Sequence, residues 1–314
     1  MAKKIGLVGI YFPGAYDALH ENVPEGFELV DALSPEAYGN LADCEYLISR
    51  LDIDPDIINY TPNVKFWQRW GAGFDHVDLK AWGERGIPIA TCPGVNSGIV
   101  AELAIMLMLA GYRNLLQINR QLRAGHWPRT EYFGRSFMIK GKTVGVLGLG
   151  HIGKKVAALA TAFGANVIYY DIVRQTEQEE QFGYRFVDFD TLLKESDIFT
   201  IHCPLNEETR GMIGAAQFAQ MKPTAMLINT ARGPIVDEAA LIDALTTGKI
   251  ATAGLDTYEH EPLPKDHPLL TLDNVVASAH AGGNTKDNDI NMVNYVYHNI
   301  VAFDRGEPLN TPGD

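Results

Sequence analysis

Short apolar runs alternate with longer polar, helix-like segments along most of the chain. In the first hundred residues the runs fall at Ile5–Ile10, Phe27–Val30, Tyr46–Ser49, Lys65–Trp67 and Ile87–Ala90. Alternation of this kind predicts a mostly parallel sheet covered by helices. The pattern then changes. Ala101–Arg123 reads as one long helix, apolar at first and polar later, which suits a helix lying between layers or at an interface. Its most apolar part, Ile99 to Tyr112, contains Glu102 and is too short for the ~20 residues of a membrane span. From Gly125 to Lys142 there is no period, only Gly, Pro, Arg and aromatic residues, as in a surface connector.

A second alternating series follows. Strands are expected at Thr143–Leu147, Val167–Tyr170, Ile198–His202, Ala225–Asn229, Thr252–Leu255 and Val275–Ser278. Helices fit between them at Ile152–Phe163, Phe189–Glu195, Gly214–Met221 and Glu238–Thr246. That is a doubly wound α/β domain. The tail from Asp287 to Asp304 is again helical in pattern and is placed to cross back to the first domain. We therefore divide the chain into 1–98 plus 286–314 and 99–285.

The length of 314 residues suits two domains, each large enough for its own core. The balance of 46% apolar and 21% charged residues is that of a soluble globular protein. A net charge of −13 with no offsetting run of Lys or Arg argues against a nucleic-acid partner. It also means that an acidic substrate must be held by local cations. Cys44, Cys92 and Cys203 are odd in number and widely spaced. They suggest neither a disulfide framework nor a metal site, but reduced thiols in a cytoplasmic protein. The opening M-A-K-K-I-G-L-V-G-I carries two Gly and no cleavage signal, so it reads as a buried first strand.

Candidate chemistry sits in the second domain. Gly148, Gly150 and Gly153 have G-x-G-x-x-G spacing between an expected strand and an expected helix. Gly148 permits the tight turn, Gly150 the close approach of a pyrophosphate, and Gly153 the packing of helix on strand. The helix N-terminus then faces the phosphates. Asp171 ends the next apolar run, V-I-Y-Y-D, where it can bind the adenosine ribose hydroxyls and repel a 2′-phosphate. NAD is the expected cofactor, and Arg174 is the one feature that weakens that preference.

Three further residues follow expected strands, where ligands of open parallel sheets lie. Arg232 can fork onto a carboxylate and polarise a neighbouring ketone. Glu261 can raise the pKa of His280 and fix its tautomer, so that the pair donates a proton in reduction and accepts one in oxidation. Asp256 can accept from a nicotinamide carboxamide or cap the turn before Tyr258. In the first domain, R-W-G-A-G-F-D-H-V-D offers bare backbone N–H groups around Ala72 and Gly73, a nest for a carboxylate.

These residues, with V-A-E-L-A, H-C-P-L-N, N-T-A-R-G, E-H-E-P and A-H-A-G-G, resemble the D-isomer-specific 2-hydroxyacid dehydrogenases over nearly the whole chain. The resemblance implies a Rossmann NAD-binding domain inserted in a flavodoxin-like substrate domain, with an active cleft between them and a homodimer built on the nucleotide domains. It implies Arg232, Glu261 and His280 as catalytic residues, Asp256 beside the nicotinamide, and Ala72 and Gly73 on the substrate. Through the matched motifs it adds His151, Ile152, His202, Cys203, Pro204, Thr230 and Ala231 to the cofactor set. The implied reaction links NADH and a small 2-oxo acid with NAD and the D-2-hydroxy acid. Two other activities occur within the family, a dinucleotide-sensing corepressor and oxidation of formate or phosphite. The chain departs from the family in having Ala279 where Pro usually precedes the catalytic His. It also has Val95 or a neighbour where lactate-type members carry Tyr. Walls from Val95–Ser97, Trp70–Phe74 and Tyr295 favour a substrate with an apolar side chain.

Overall fold

Five parallel strands, β1 (Lys3–Gly9), β2 (Phe27–Ala32), β3 (Tyr46–Arg50), β4 (Phe66–Arg69) and β5 (Ile89–Ala90), form one sheet in the order β2-β1-β3-β4-β5. The order is that of flavodoxin-like sheets. Helices α1 (Pro13–Glu21) and α2 (Leu79–Glu84) belong to the same unit, which comprises Met1–Asn96 and Asn284–Asp314. The second unit is Ser97–Gly283. The structure is a computed structural model and describes residues 2–50, 54–71, 73 and 77–310.

The second unit opens with α3 (Ser97–Tyr112) and α4 (Leu115–Arg123). Its strands are β6 (Thr143–Leu147), β7 (Asn166–Tyr170), β8 (Arg185–Phe186), β9 (Ile198–Ile201), β10 (Met226–Asn229), β11 (Thr252–Leu255) and β12 (Val275–Ala277). Between them lie α5 (His151–Ala162), α6 (Thr176–Phe182), α7 (Phe189–Glu195), α8 (Ala215–Phe218) and α9 (Glu238–Thr246). The sheet order is β12-β11-β10-β9-β6-β7-β8, every pairing parallel. This is the doubly wound dinucleotide-fold order with one strand added beyond the sixth.

Both faces of this sheet are buried, as a parallel sheet requires. Val144, Val146, Met226 and Ile228 point to a core shared with Ala101, Met108, Val156 and Ala160 of α3 and α5. Leu147, Phe199 and Leu227 point the other way, to Leu192 and Leu241 of α7 and α9. Alternate residues of one strand thus serve opposite layers, which explains why the strands read as apolar runs.

The last helix, α10 (Lys286–Arg305), returns to the first unit. Phe303 stacks on Phe66 at 4.5 Å, and Asn299 Nδ2 donates to the buried Gln68 Oε1 at 2.9 Å.

One expectation is corrected. The helix read as continuous over 101–123 breaks at Asn114, whose φ of 51° is left-handed, and α3 and α4 meet at a 62° bend. Asn tolerates that conformation better than most residues. Here its Nδ2 reaches Arg135 O and Ser136 Oγ, each at 3.2 Å. Among the described residues no single helix is long and apolar enough to cross a membrane.

Candidate active site

All strands of a parallel sheet end on the same edge, so the segments leaving β6, β7, β9, β10, β11 and β12 collect there. In the sheet order the chain reverses direction between β6 and β9, and such a switch point opens a crevice beyond the strand ends. Gly148 leaves β6 at that point with φ +90°, and a Cβ on it would lie 2.7 Å from Cys203 N. The His202 N–H donates to Leu147 O at 2.7 Å, locking the two segments side by side. A Cβ on Gly153 would lie 2.1 Å from Gly148 O, so α5 packs against its own entry turn.

Gly150 differs: a Cβ there would meet nothing within 4 Å. It is the N-cap of α5, and no side chain caps that terminus. The first helical N–H groups, at His151, Ile152 and Gly153, therefore lack intrahelical acceptors, and the space beside Gly150 is open. Asp171 follows β7 and takes the Leu149 N–H at 2.6 Å on Oδ2 and the Val173 N–H at 3.1 Å on Oδ1. Both bonds come from the backbone, and the carboxylate keeps lone pairs for further donors.

Farther along the edge, buried polar atoms await partners. His202 Nε2 meets Thr200 Oγ1 at 2.8 Å, but its Nδ1 has no partner among the described residues, nor has Thr230 Oγ1. Burial pushes the His202 pKa down to about 3, so the ring is neutral. Cys203 and Pro204 follow His202, and Ala231 follows Thr230, with its N–H donated to Asn229 Oδ1 at 3.0 Å. Open helix N–H groups, an acid at the second strand and orphaned polar atoms beyond β9 and β10 together fit a dinucleotide laid along this edge.

The three residues singled out as catalytic hang from adjacent strands. Arg232 leaves β10, Glu261 ends the loop after β11, and His280 ends the short segment after β12. His280 Nδ1 lies 2.7 Å from Glu261 Oε2. Glu261 Oε1 in turn accepts the Tyr258 N–H at 3.0 Å. Arg232 Nη1 donates to Ala231 O at 2.7 Å, and the guanidinium charge acts on both partners of the pair.

The hydrogen bond that Glu261 accepts from the ring raises the His280 pKa above its ordinary value, outweighing burial and the Arg232 charge, which lower it. Burial would raise the Glu261 carboxyl. The bonds from His280 and the Tyr258 N–H, with the charges of His280 and Arg232, hold it below its ordinary value instead. The pair is therefore a carboxylate beside a ring that keeps its proton to higher pH than a free imidazole.

Of the substrate nest, Ala72 lies outside the described residues, and Gly73 belongs to the first unit.

Residues 105–282 match the family model for the NAD binding domain of D-isomer specific 2-hydroxyacid dehydrogenases. The chain belongs to that family. A D-3-phosphoglycerate dehydrogenase of Archaeoglobus fulgidus is 42% identical over 83% of this chain and 49% of its own length. The chain thus spans about half of that relative. A glyoxylate reductase of Korarchaeum cryptofilum is 39% identical over 84% of this chain and 81% of its own. Among solved structures, a D-lactate dehydrogenase of Lactobacillus jensenii with NAD+ superposes with a TM-score of 0.82 at 30% identity, covering 99% of this chain and 100% of that one. The 2-hydroxyacid dehydrogenase described here is an NAD-dependent oxidoreductase with two parallel-sheet α/β domains.

Several contacts that shape this dehydrogenase's site are silent in the sequence. Asp256 is buried, and its two oxygens accept the N–H groups of Ala281 and Gly282, each at 2.9 Å, while its carbonyl accepts the His280 N–H at 2.8 Å. It binds the His280 segment from below. His280 itself has φ +49°, a left-handed conformation that costs a non-glycine residue energy. Tyr258 OH donates to Ser278 O at 2.7 Å, joining the Glu261 loop to the His280 segment. Gly233 abuts Tyr258 so closely that a Cβ would lie 1.9 Å from its carbonyl carbon. Asn229 Nδ2 holds Arg232 O at 2.9 Å. The sequence singles out Asp256 at the end of its expected strand, whereas Asn229, Gly233 and Tyr258 give no signal beyond lying at or just after expected strands.

Proposed function

We propose that this enzyme reduces a small 2-oxo acid to the D-2-hydroxy acid and runs the reverse oxidation, with Arg232, Glu261 and His280 as its catalytic residues. The observation that carries the reading is the 2.7 Å Glu261–His280 pair, set on the edge that also bears the dinucleotide turn. Bound NADH supplies a hydride to the ketone carbon. Arg232 grips the substrate carboxylate and draws electron density toward the ketone oxygen. Protonated His280 gives its proton to that oxygen and is left neutral. Glu261 keeps the Nδ1 proton in place, so that the ring's Nε2 faces the substrate. In oxidation the neutral ring takes the hydroxyl proton.

For the coenzyme, the α5 N–H groups at His151, Ile152 and Gly153 take the pyrophosphate behind Gly148 and Gly150, and Asp171 takes the adenosine ribose. His202, Cys203, Pro204, Thr230, Ala231 and Asp256 line the path toward the nicotinamide. Ala72 and Gly73 are assigned to the substrate carboxylate on the glycine-rich sequence around them and on the family resemblance. We read the NAD-binding domain as 99–285 and the substrate domain as 1–98 with 286–314. The enzyme is a homodimer in this reading. Exposed apolar side chains on and after α4, among them Trp127 at 79% and Phe133 at 75%, are what a second copy would cover. Its three free cysteines fit a cytoplasmic setting.

The test is His280→Ala. NADH binding, followed by nicotinamide fluorescence, should persist. Oxidation of NADH with glyoxylate, pyruvate or bulkier apolar 2-oxo acids should fall by roughly 10²–10⁴-fold, the contribution of a general acid. Turnover close to wild type would remove His280 from the mechanism.

A further inference from the structure

Arg174 stands three positions after Asp171, on the loop joining β7 to α6. A cation in that loop is the group that would receive the 2′-phosphate of NADP. This one is already engaged. Its Nε donates to Glu179 Oε1 at 2.8 Å and its Nη2 to Glu179 Oε2 at 2.7 Å, a two-point fork that uses the side-on edge of the guanidinium and ties its charge to a carboxylate. The Phe186 ring lies against the guanidinium, 5.5 Å from Cζ to the centroid.

Glu179 is held from behind. Tyr169 OH donates to its Oε1 at 2.7 Å, and the same hydroxyl accepts the Gln175 N–H at 2.8 Å. The Glu179 side chain is 17% exposed against 60% for Arg174, so the anchor is the shielded member of the pair. Arg174, and after it Tyr169, hold the Glu179 carboxyl down to about 2, so the fork stays charged throughout the physiological range. Burial and Glu179 push the Tyr169 hydroxyl up to about 12, which keeps it a donor.

We propose that Glu179 is a coenzyme-selectivity residue: by occupying both arms of the Arg174 fork it denies the adenosine 2′-phosphate of NADP its cation. Asp171 repels that phosphate directly, and Glu179 adds a second barrier that acts through Arg174. The inference rests on Asp171 being the ribose ligand, as proposed above. Glu179 touches no coenzyme atom and works by positioning its neighbour.

The test is equilibrium binding, free of turnover. Calorimetric titrations compare 2′,5′-ADP with 5′-ADP on Asp171→Asn alone and with Glu179→Gln, Arg174→Ala, or both added. Glu179→Gln should tighten 2′,5′-ADP by about tenfold, the worth of one charge-assisted hydrogen bond, and leave 5′-ADP unchanged. Adding Arg174→Ala should erase the gain, and raised salt should shrink it. If Glu179→Gln unfolds, Glu179→Asp keeps an acceptor for Tyr169 but is one methylene too short for the fork, and a smaller gain is expected. An unchanged ratio of the two nucleotides in a folded variant would overturn the proposal, as would a gain that survives loss of Arg174. If 5′-ADP fails to compete with NADH on any of these proteins, the site reading at Asp171 falls, and this inference with it.

Discussion

Replacing Glu261 by Gln is the sharpest probe of the pair that carries the proposed chemistry. Gln has the same length and can still accept the Tyr258 N–H on Oε1, as Glu261 does at 3.0 Å. Its amide NH2 then faces His280 Nδ1, where Oε2 stood at 2.7 Å. A donor now opposes the ring nitrogen that carried a proton, so the neutral ring with its proton on Nε2 becomes the favoured form. A hydrogen bond to a charged group contributes about 1.5–3 kcal/mol. The two side chains are 49% and 35% exposed, so solvent screening cuts that to roughly 1 kcal/mol. Losing that bond lowers the His280 pKa, and the reversed donor pushes it further the same way.

The sign follows from the role. Reduction needs protonated His280, so its rate falls as pH rises through the ring's pKa. In the variant that falling limb should move to lower pH. Oxidation needs the neutral ring, and its rising limb should move to lower pH with it. The stability linkage runs parallel. A ring raised above 6.5 in the folded state adds stability below that pH, which is lost as pH rises through the raised value. Glu261→Gln should remove that acid-side gain. The assay is kcat/KM against pH in both directions, with the His280 imidazole titrated by NMR in the presence of NADH. Limbs and titration curve that stay at their wild-type positions would refute the coupling.

Two further outcomes are expected. Asp256→Ala should leave the Ala281 and Gly282 N–H groups without acceptors at about 1–3 kcal/mol each, seen as a lower urea midpoint together with a reduced kcat; an unchanged midpoint would show that the segment holds itself. Gly153→Ala should force a shift between α5 and its entry turn at a cost of about 1–3 kcal/mol and weaken NADH binding in a fluorescence titration; wild-type affinity would show that the turn yields freely.

The layered architecture was legible because both faces of each sheet are covered, so strands such as Ile198–Ile201 and Met226–Asn229 are apolar at nearly every position. The glycine turn was legible for a local reason: its spacing, the strand before it and the acid after it all lie within one supersecondary unit. What escaped is set by contacts between distant residues. The break at Asn114 depends on Arg135 and Ser136, more than twenty positions on. The closeness of Gly233 to Tyr258 and the grip of Asp256 on Ala281 and Gly282 join segments about 25 positions apart. No pattern along the chain encodes them. The fork from Arg174 to Glu179 spans five residues, yet it too was unreadable, because it needs α6 to start at Thr176 and Tyr169 to point toward it.

The first unit is made from two stretches of the chain separated by the whole of the second unit, and this orders events at the ribosome. Lys3 and Tyr46 both bond to Asp304, and Gln68 is satisfied by Asn299. During translation the amino-terminal sheet must wait, with the ring of Phe66 uncovered, until Phe303 has emerged. The intervening unit, Ser97–Gly283, is one continuous stretch and can close while the nascent chain is still growing. The segment that bears His280 and the glycine turn is thus able to mature before the layer that flanks it in sequence on either side.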